Sequence, residues 1–397
     1  MKSLIASGHF DGERYHQDPA TLLIDGTRIV DVLPGEHAIG ESLGRHVFVM
    51  PGLVEAHCHM FLDGADTDAA RRAAYLEAPR EQMMETARRN VERSLRHGVT
   101  LVRDAGDRYG INHGIRAESK LCTVRSAGIA LRRPRRYGAF MAREIANMDE
   151  LRAAVREAAA SVDDLKIIET GIIDFEAGLV KGEPQFDAEA LGLIVELARA
   201  EGIRTFAHCS GTAGIEIAVD AGVDSIEHGF FITRSILRKM ADRGTAWVPT
   251  FSPVDFQWRR PEVAGWSAQT VGKLRGILDA HREHVALAAE MGVQLVAGSD
   301  AGSPGVDHGR GLIDEVFQFL SCGLTPQQAL HAAGSRARRL WGAESADIRP
   351  GNRVDLVTLA GDPVADSRAL LQVTGTVRGL TEAEGTLFTA TRPDSSP

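Results

Sequence analysis

The chain has 397 residues, of which 44% are hydrophobic and 25% are charged, and its formal net charge at pH 7 is −9. This acidic, well-mixed composition argues against nucleic acid or an anionic membrane as the main partner. No apolar run approaches the ~20 residues of a membrane span, and no opening segment has the pattern of a secretion signal. We therefore predict a cytoplasmic protein whose partner is a small molecule, and the sequence is compatible with a homo-oligomer.

The two ends of the chain share the pattern of a small β-sheet. Residues 4–33 contain short alternating segments separated by turns with glycine, which is typical of antiparallel strands. Residues 352–359 and 373–377 have the same character. We predict that residues 1–46 and 344–397 together form a small β-sandwich-like domain.

Between these ends the pattern alternates between strand and helix. Short β-rich runs are followed by amphipathic helical patterns, such as those over residues 80–97, 148–161, 187–200 and 271–291, and several of these end in glycine just before the next run. This alternation is typical of βα units around a parallel sheet. Eight β-rich runs predict a (β/α)8 TIM barrel over residues 47–343. The runs are residues 47–57, 99–103, 122–131, 165–169, 204–208, 225–228, 246–251 and 294–299.

The first barrel strand ends in the triplet His57-Cys58-His59. In an extended strand, residues i and i+2 project to the same side. The two imidazoles can therefore face one metal ion while Cys58 points away. Two histidines at this spacing also arise by chance, so the metal interpretation depends on ligands from elsewhere in the chain.

Other predicted strands carry or end in ionisable residues. Lys166 lies in the fourth strand, His208 and His228 end the fifth and sixth, and Asp300 follows the eighth. Active sites in such barrels lie at the carboxyl ends of the strands. Each residue alone is compatible with a hydrogen-bonded core or turn role. Together they would leave several buried polar groups without partners, and a divalent metal would supply those partners.

Five segments of the chain, HCH, LKIIETG, FAHCSG, SIEHG and GSDAG, resemble those of the amidohydrolase superfamily. Within it, the chain is similar to the group of imidazolonepropionase-like and prolidase-like hydrolases. The resemblance covers nearly the whole chain and implies a metal-dependent hydrolase with a composite β domain. It also implies that His57, His59 and Asp300 hold a more buried metal, that His208 and His228 hold a more exposed one, and that Lys166 bridges the two. Such ligands suit Zn²⁺ best, with other divalent metals as alternatives.

Lys166 can bridge two cations only after a chemical change, because an ammonium group has no lone pair. Carboxylation by CO2 converts the amine to an anionic carbamate with one oxygen for each metal. The alternative is a surface lysine, which the apolar LKIIETG run disfavours. A second alternative is a mononuclear site that uses only His57, His59, His208 and Asp300.

This set of residues predicts hydrolysis of an amide C–N bond without a covalent intermediate. A divalent metal lowers the pKa of water toward neutrality, so that hydroxide is available as the nucleophile. Asp300 is the predicted proton acceptor and donor, and His228 is predicted to help polarise the scissile carbonyl. The sequence contains no nucleophile elbow and no phosphate-binding glycine motif.

Substrate choice is expected in the loops after the strands. Arg135, Arg136 and Tyr137 follow the third strand, and His308 lies in the loop after the eighth. Guanidinium groups suit a substrate carboxylate, as in an N-acyl amino acid or a dipeptide. Ser210 stands where several prolidase-like relatives carry tyrosine, so a dipeptidase assignment does not follow from the resemblance alone.

Two other functions remain open at this stage. One is a mononuclear hydrolase or deaminase of a cyclic amidine or imide, of the imidazolonepropionase type. The other is a barrel without catalytic activity in which the metal has only a structural role. The presence of Asp300 as a candidate base disfavours the second of these.

Overall fold

The computed structural model describes residues 1–379 and 385–390 of the chain. These residues form a mixed α/β fold, as the sequence predicts. In chain order the strands are β1 (Lys2–Phe10), β2 (Tyr15–His16), β3 (Ala20–Asp25), β4 (Arg28–Pro34), β5 (Glu41–Pro51), β6 (Leu53–Cys58), β7 (Val99–Asp104), β8 (Thr123–Ser126), β9 (Ala130–Arg132), β10 (Ala142–Glu144), β11 (Asp164–Ile168), β12 (Ile173–Asp174), β13 (Leu179–Val180), β14 (Arg204–Cys209), β15 (Ser225–His228), β16 (Ala246–Val248), β17 (Gln294–Leu295), β18 (Asp355–Leu359), β19 (Val373–Gly379) and β20 (Thr386–Ala390).

The long helices lie where the periodicity of the sequence predicts them. Those predicted over residues 80–97, 148–161, 187–200 and 271–291 are present within a few residues of these bounds. Six shorter helices of seven to ten residues, α1, α3, α6, α7, α8 and α13 in the list that follows, lack a prediction because they show too few turns for a periodic signal. The helices are α1 (Ala69–Tyr75), α2 (Arg80–Arg96), α3 (Ile111–Glu118), α4 (Met148–Ala159), α5 (Ala188–Ala200), α6 (Thr212–Ala221), α7 (Arg234–Arg243), α8 (Ser252–Arg259), α9 (Pro261–Ala264), α10 (Ala268–Glu290), α11 (Arg310–Ser321), α12 (Pro326–Ala332) and α13 (Ser335–Trp341), with a 3-10 turn at Ser367–Leu371.

Strands from both ends of the chain lie in one eight-stranded sheet. Its order is β20-β19-β18-β5-β1-β3-β4, with β2 paired to β1. β5 is parallel to β1 and antiparallel to β18, so the C-terminal strands add to the edge that β5 offers. β5 itself crosses the predicted boundary at residue 46. The domain limits therefore stay predictions, and residues 391–397 of the last one lie outside the described part of the chain.

The remaining long strands are parallel and form two hydrogen-bonded sheets. One has the order β10-β9-β11-β14-β15-β16-β17 and the other β6-β7-β8. Backbone bonds from Ala56 N to Ala297 O (3.1 Å) and from Asp300 N to His57 O (2.7 Å) join β6 to the segment after β17. The hydrogen-bond pairing gives two parallel sheets, and closure of their strands into one barrel goes beyond this pairing.

Two of the predicted strands are divided in the structure. The run over residues 47–57 breaks at Gly52, so that β5 joins the terminal sheet and β6 joins the parallel strands. The run over residues 122–131 breaks at Gly128, whose φ of +64° belongs to the left-handed region that glycine readily adopts. As a result β8 pairs with β7, and β9 pairs with β11.

Helices cover the parallel strands and bury them. Every residue of β6, β7, β11 and β15 is buried, which explains why these strands appear in the sequence as apolar runs rather than alternating ones. The carboxyl ends of parallel strands meet at one rim, and the candidate residues lie there. Among the described residues, no helix has both the length and the apolar character that a membrane crossing needs.

Candidate active site

Six side chains from different strands converge at one rim of the parallel sheets. His57, Lys166, His208 and His228 lie on β6, β11, β14 and β15, His59 directly follows β6, and Asp300 lies in the segment after β17. All six line one cavity of about 340 Å³. The structure thus brings together the whole set of residues for which the sequence predicts metal binding.

His57 is oriented by a buried ionic network behind it. Its Nδ1 lies 2.5 Å from Glu227 Oε2, and Glu227 Oε1 accepts a hydrogen bond from Arg103 at 2.8 Å. A carboxylate on Nδ1 fixes the tautomer and leaves Nε2 free as a metal ligand. Burial, followed by the charge of Lys166, holds the pKa of His57 well below its usual value, so the ring is neutral.

His59 and Asp300 complete a compact group of donors with His57. His59 Nε2 lies 3.5 Å from Asp300 Oδ1, and His57 Nε2 lies 3.7 Å from the same oxygen. One ligand atom from each of the three residues falls within 4.8 Å of the others. Two nitrogens and one carboxylate oxygen at this separation suit a divalent transition metal.

His208 and His228 offer two further nitrogen atoms. The Nε2 atom of each ring is buried and has no hydrogen-bond partner among the described residues, and the ring centroids are 4.5 Å apart. His228 Nδ1 is 2.7 Å from Thr250 Oγ1. A buried polar atom without a partner is costly. The two orphaned nitrogens therefore fit a metal ion as their missing partner.

Two of the donors have a strained backbone. Asp300 has φ of +56° and His228 has φ of +69°, and non-glycine residues rarely occupy this region. Such strain is retained where the surrounding structure enforces it, commonly at functional sites.

Burial raises the pKa of Asp300 to about 7, although the charge of Lys166 opposes the shift.

Lys166 is a buried amine at the centre of the group. Its side chain is 1% exposed, and its Nζ lies 3.4 Å from His57 Nε2 and 4.7 Å from the centroid of Phe206. Burial lowers the pKa of Lys166 to about 7. A large fraction of the amine is therefore neutral near pH 7, in contrast to a lysine at the surface.

The cavity beside these donors is largely apolar. Its polar lining outside the donor set includes Arg72, Ser210, Thr250 and Gln257. The sequence pattern did not single out Arg72, because it lies in the short helix α1 without a motif. The apolar lining consists of Leu62, Phe140, Met141, Ile172, Ile173, Phe175, Phe230, Pro253, Val254 and Pro304.

The structure separates the four residues predicted to bind substrate. Tyr137 lines the cavity, with its ring centroid 5.2 Å from that of His208. Arg135, Arg136 and His308 lie outside the cavity lining. Arg136 donates to the carbonyl of Glu183, and a ring nitrogen of His308 lies 3.1 Å from the carbonyl of Leu62. The contacts of Arg136 and His308 hold loops together, and the substrate-binding roles of Arg135, Arg136 and His308 stay predictions drawn from the sequence.

Two buried carboxylates behind the donors were missed by sequence reasoning. Glu227 precedes His228 and holds His57, as described above. Glu55 accepts hydrogen bonds from the backbone N–H groups of His57 (3.0 Å) and Ser299 (2.8 Å), so it ties β6 to the segment that carries Asp300. A glutamate inside an apolar run, as in LVEAH and SIEH, was the available signal, since a buried charge needs partners.

The chain is similar to known proteins in both sequence and structure. The sequence profile of the amidohydrolase family matches residues 48–384. An uncharacterized protein of Mycobacterium tuberculosis is 33% identical over 316 residues, which are 80% of each chain. Ochratoxinase of Aspergillus niger is 29% identical over 185 residues, 46% of this chain and 38% of that protein. The crystal structure of a Xaa-Pro dipeptidase with bound methionine in the active site has a TM-score of 0.82 at 24% identity and covers 96% of this chain and 98% of its own.

Proposed function

The chain belongs to the amidohydrolase family and is a hydrolase acting on C–N bonds, and from this premise we propose that it cleaves the amide bond of an N-acyl amino acid or a dipeptide-like substrate. The observation that carries the proposal is the convergence of six donor residues on one side of a largely apolar cavity. An apolar wall suits an apolar acyl group or side chain. The choice of an N-acyl amino acid or a dipeptide among possible amides rests on the expectation drawn from the sequence.

We propose two metal sites, with Zn²⁺ as the metal that best suits the ligands. The family typically uses a divalent metal, and the donor types present are imidazole nitrogen and carboxylate oxygen. His57, His59 and Asp300 would hold one ion, and the orphaned nitrogens of His208 and His228 would hold the other.

Lys166 is the proposed bridge between the two sites, as a carbamate. The neutral amine attacks CO2, a C–N bond forms, and one proton leaves to solvent, so that the product carries a single negative charge on two oxygens. The lowered pKa of Lys166 favours the neutral amine that this reaction needs. The negative charge is then placed among neutral histidines, where a pair of cations would balance it.

The proposed mechanism assigns a task to each residue around the substrate. A divalent ion held by the donor residues would supply Lewis acidity, which would lower the pKa of the attacking water toward neutrality. Asp300 accepts the proton of that water and passes it to the leaving nitrogen. Tyr137 and His228 line the cavity, and we assign the Tyr137 hydroxyl to polarising the scissile carbonyl. His228 would contribute to this polarisation through the ion that its Nε2 would hold. The apolar lining excludes other water from the reacting bond.

We also propose that the parallel strands close into the (β/α)8 barrel predicted over residues 47–343, flanked by the composite β domain. The bonds that join β6 to residues 297 and 300 support closure at one edge, and the likeness to the dipeptidase fold supports the arrangement. A cytoplasmic location and a small-molecule substrate without nucleic-acid or membrane partners stay proposals drawn from composition.

Metal analysis combined with a substrate screen tests this function. We expect two divalent ions per chain in fully active protein, and turnover of at least some members of a panel of N-acyl amino acids and dipeptides. Crystals of that protein are expected to show a modified Lys166. Fully active protein with one ion and an unmodified Lys166 would overturn the binuclear proposal.

A mononuclear hydrolase or deaminase of a cyclic amidine or imide is the second candidate. One observation favours it: the described donors that meet within 4.8 Å of one another are His57, His59 and Asp300 only, which is enough for a single ion. One ion per chain together with turnover of cyclic imides, and not of N-acyl amino acids, would select this candidate.

A further inference from the structure

Arg72 on helix α1 stands at the junction of two cavities. It lines the active-site cavity described above and also a second cavity of about 350 Å³ beside α1 and α2. The two cavities share Leu62, Arg72 and Phe140 as a common wall. Arg72 therefore lies between the cavity of the donor residues and the second cavity.

The Arg72 guanidinium is held in place by uncharged groups. Nη1 donates to the carbonyls of Asp63 (2.7 Å) and Asp66 (3.0 Å), and Nη2 donates to the carbonyl of Gly302 (2.6 Å). These bonds orient the side chain between the loop after β6 and the loop that carries Asp300. Carbonyl oxygens bear no net charge, so the positive charge of Arg72 is not neutralised by them.

The two aspartates whose carbonyls accept from Arg72 have their carboxylates paired with other arginines. Asp63 forms an ion pair with Arg93 at 2.9 Å, and Asp66 forms one with Arg71 at 2.8 Å. Within the described part of the chain, no carboxylate lies at ion-pair distance from Arg72. Arg72 and Lys166 are the two lysine or arginine side chains in the lining of the active-site cavity, and Lys166 is proposed to become an anion.

The guanidinium also has donors to spare. Of its five N–H groups, three are used by the carbonyls of Asp63, Asp66 and Gly302. The two that remain belong to Nε and Nη2, which are neighbouring nitrogens of the planar fork. A fork of this kind matches the two oxygens of a carboxylate.

Resting on the proposed function, we propose that Arg72 is the residue that binds the carboxylate of the substrate, with the carboxylate-bearing half directed toward the second cavity. Arg72 thereby takes the role that the sequence suggested for Arg135 and Arg136. The competing explanation is that Arg72 only clamps two loops together. The two explanations differ in which substrates the residue affects.

The test compares substrate pairs that differ only in the carboxylate. N-acetyl-L-phenylalanine and N-acetyl-L-methionine are each paired with their C-terminal carboxamides, and all four are assayed with metal-loaded wild type, Arg72→Gln and Arg72→Lys. Arg71→Gln is the matched control, because Arg71 is the exposed neighbour on the same helix and pairs with Asp66. Melting temperature is recorded for every variant.

We expect wild type to prefer the acids. Arg72→Gln should lower kcat/KM for the acids by about 10- to 100-fold, mainly through KM, since a charge-assisted contact is lost. For the carboxamides, kcat/KM should change by less than about 3-fold, because these substrates lack the carboxylate that Arg72 would bind. Arg72→Lys should be intermediate, and Arg71→Gln should behave as wild type.

Equal losses for acids and carboxamides in Arg72→Gln would overturn the inference and identify a clamp, as would a wild type that prefers the carboxamides. If wild type turns over neither pair, calorimetric binding of N-acetyl-L-phenylalanine decides about Arg72. Equal affinity of wild type and Arg72→Gln for this acid, or no binding to either, overturns the inference. The proposed function fails separately, when no member of the N-acyl amino acid and dipeptide panel is cleaved.

Discussion

Two buried carboxylates of this protein are each paired with arginine, but only one serves the candidate active site. Glu227 accepts a hydrogen bond from Arg103 at 2.8 Å. Asp355, on the terminal sheet, lies 2.7 Å from Arg338 and 3.3 Å from Arg378. In both places the arginine offsets the cost of burying a negative charge.

The two networks differ in where they end. The Glu227 network ends at His57, whose Nε2 faces the other candidate metal ligands. The Asp355 network ends at Thr100, whose Oγ1 accepts from Arg338 and whose carbonyl accepts from Arg378, so it ties the terminal sheet to β7. A buried charge network thus points to function when it ends on a side chain that lines the cavity, as His57 does. The five predictions below test this distinction, beginning with the largest expected effect.

Asp300→Asn should separate metal binding from turnover. The amide still offers an oxygen ligand but cannot accept a proton, so we expect at least part of the metal to remain and kcat to fall by about 10²- to 10⁴-fold. Elemental analysis and steady-state kinetics measure the two effects. Asp307→Asn, on the exposed part of the same loop, is the control. Retention of most of kcat with metal restored would remove Asp300 from proton transfer.

Asp355→Asn should cost stability and leave the folded enzyme active. Removal of one partner of a buried ion pair destabilises by about 3–5 kcal/mol, here because Arg338 and Arg378 lose their carboxylate. Chemical denaturation measures the loss, and kcat per folded molecule should equal that of wild type. Asp366→Asn, in an exposed pair with Arg368, should show no measurable change. A catalytic defect in folded Asp355→Asn would break the comparison between the two networks.

The same variant makes a prediction about pH. Although burial alone would raise it, the charges of Arg378 and Arg338 bring the net pKa of Asp355 below its usual value. A depressed folded-state pKa contributes stability above the unfolded pKa of about 3.9, and this contribution is lost as pH falls through the folded value. The stability gap between wild type and Asp355→Asn should therefore be constant near neutral pH and shrink below pH ~4. A gap that is unchanged at acid pH would contradict the charge-based explanation.

Glu227→Gln should weaken the metal site from behind. Loss of the carboxylate on Nδ1 of His57 removes the group that fixes the tautomer, and such outer partners typically contribute about 10- to 100-fold in metal affinity or activity. Competition with a chelator gives the affinity. Glu216→Gln, at the surface beside Lys239, is the control. If Glu227→Gln loses stability but binds metal as wild type does, its network is of the same kind as that of Asp355.

Tyr137→Phe should have the smallest effect. The ring remains against His208, and only the hydroxyl that we assign to the substrate carbonyl is removed. A neutral hydrogen bond contributes about 0.5–1.5 kcal/mol, which corresponds to a loss of about 2- to 12-fold in kcat/KM. A loss in the thousands would place Tyr137 among the proton-transfer groups, and no loss would leave it as part of the cavity wall.

The candidate metal ligands could be predicted because parallel strands are recognisable as local sequence patterns. Active sites in such folds lie at the carboxyl ends of these strands. His57, Lys166, His208 and His228 each lie in or at the end of an apolar run, so the carboxyl-end rule brings them together. The arginines could not be assigned in the same way. Arg136 lies in a basic loop but donates to a carbonyl, whereas Arg72 had no pattern around it and lies in the cavity wall.

The sequence by itself determined the mixed α/β class, the family and the residues at the strand ends, because strand periodicity and short motifs depend only on neighbours along the chain. Only the tertiary structure decided the break of the third run at Gly128, the pairing of Glu227 with both Arg103 and His57, and the position of Arg72 between two cavities. Each of these depends on contacts between segments far apart in the chain, such as the bond from Arg72 to Gly302, 230 residues away. Such contacts follow from how the strands and loops pack, and no local pattern encodes them.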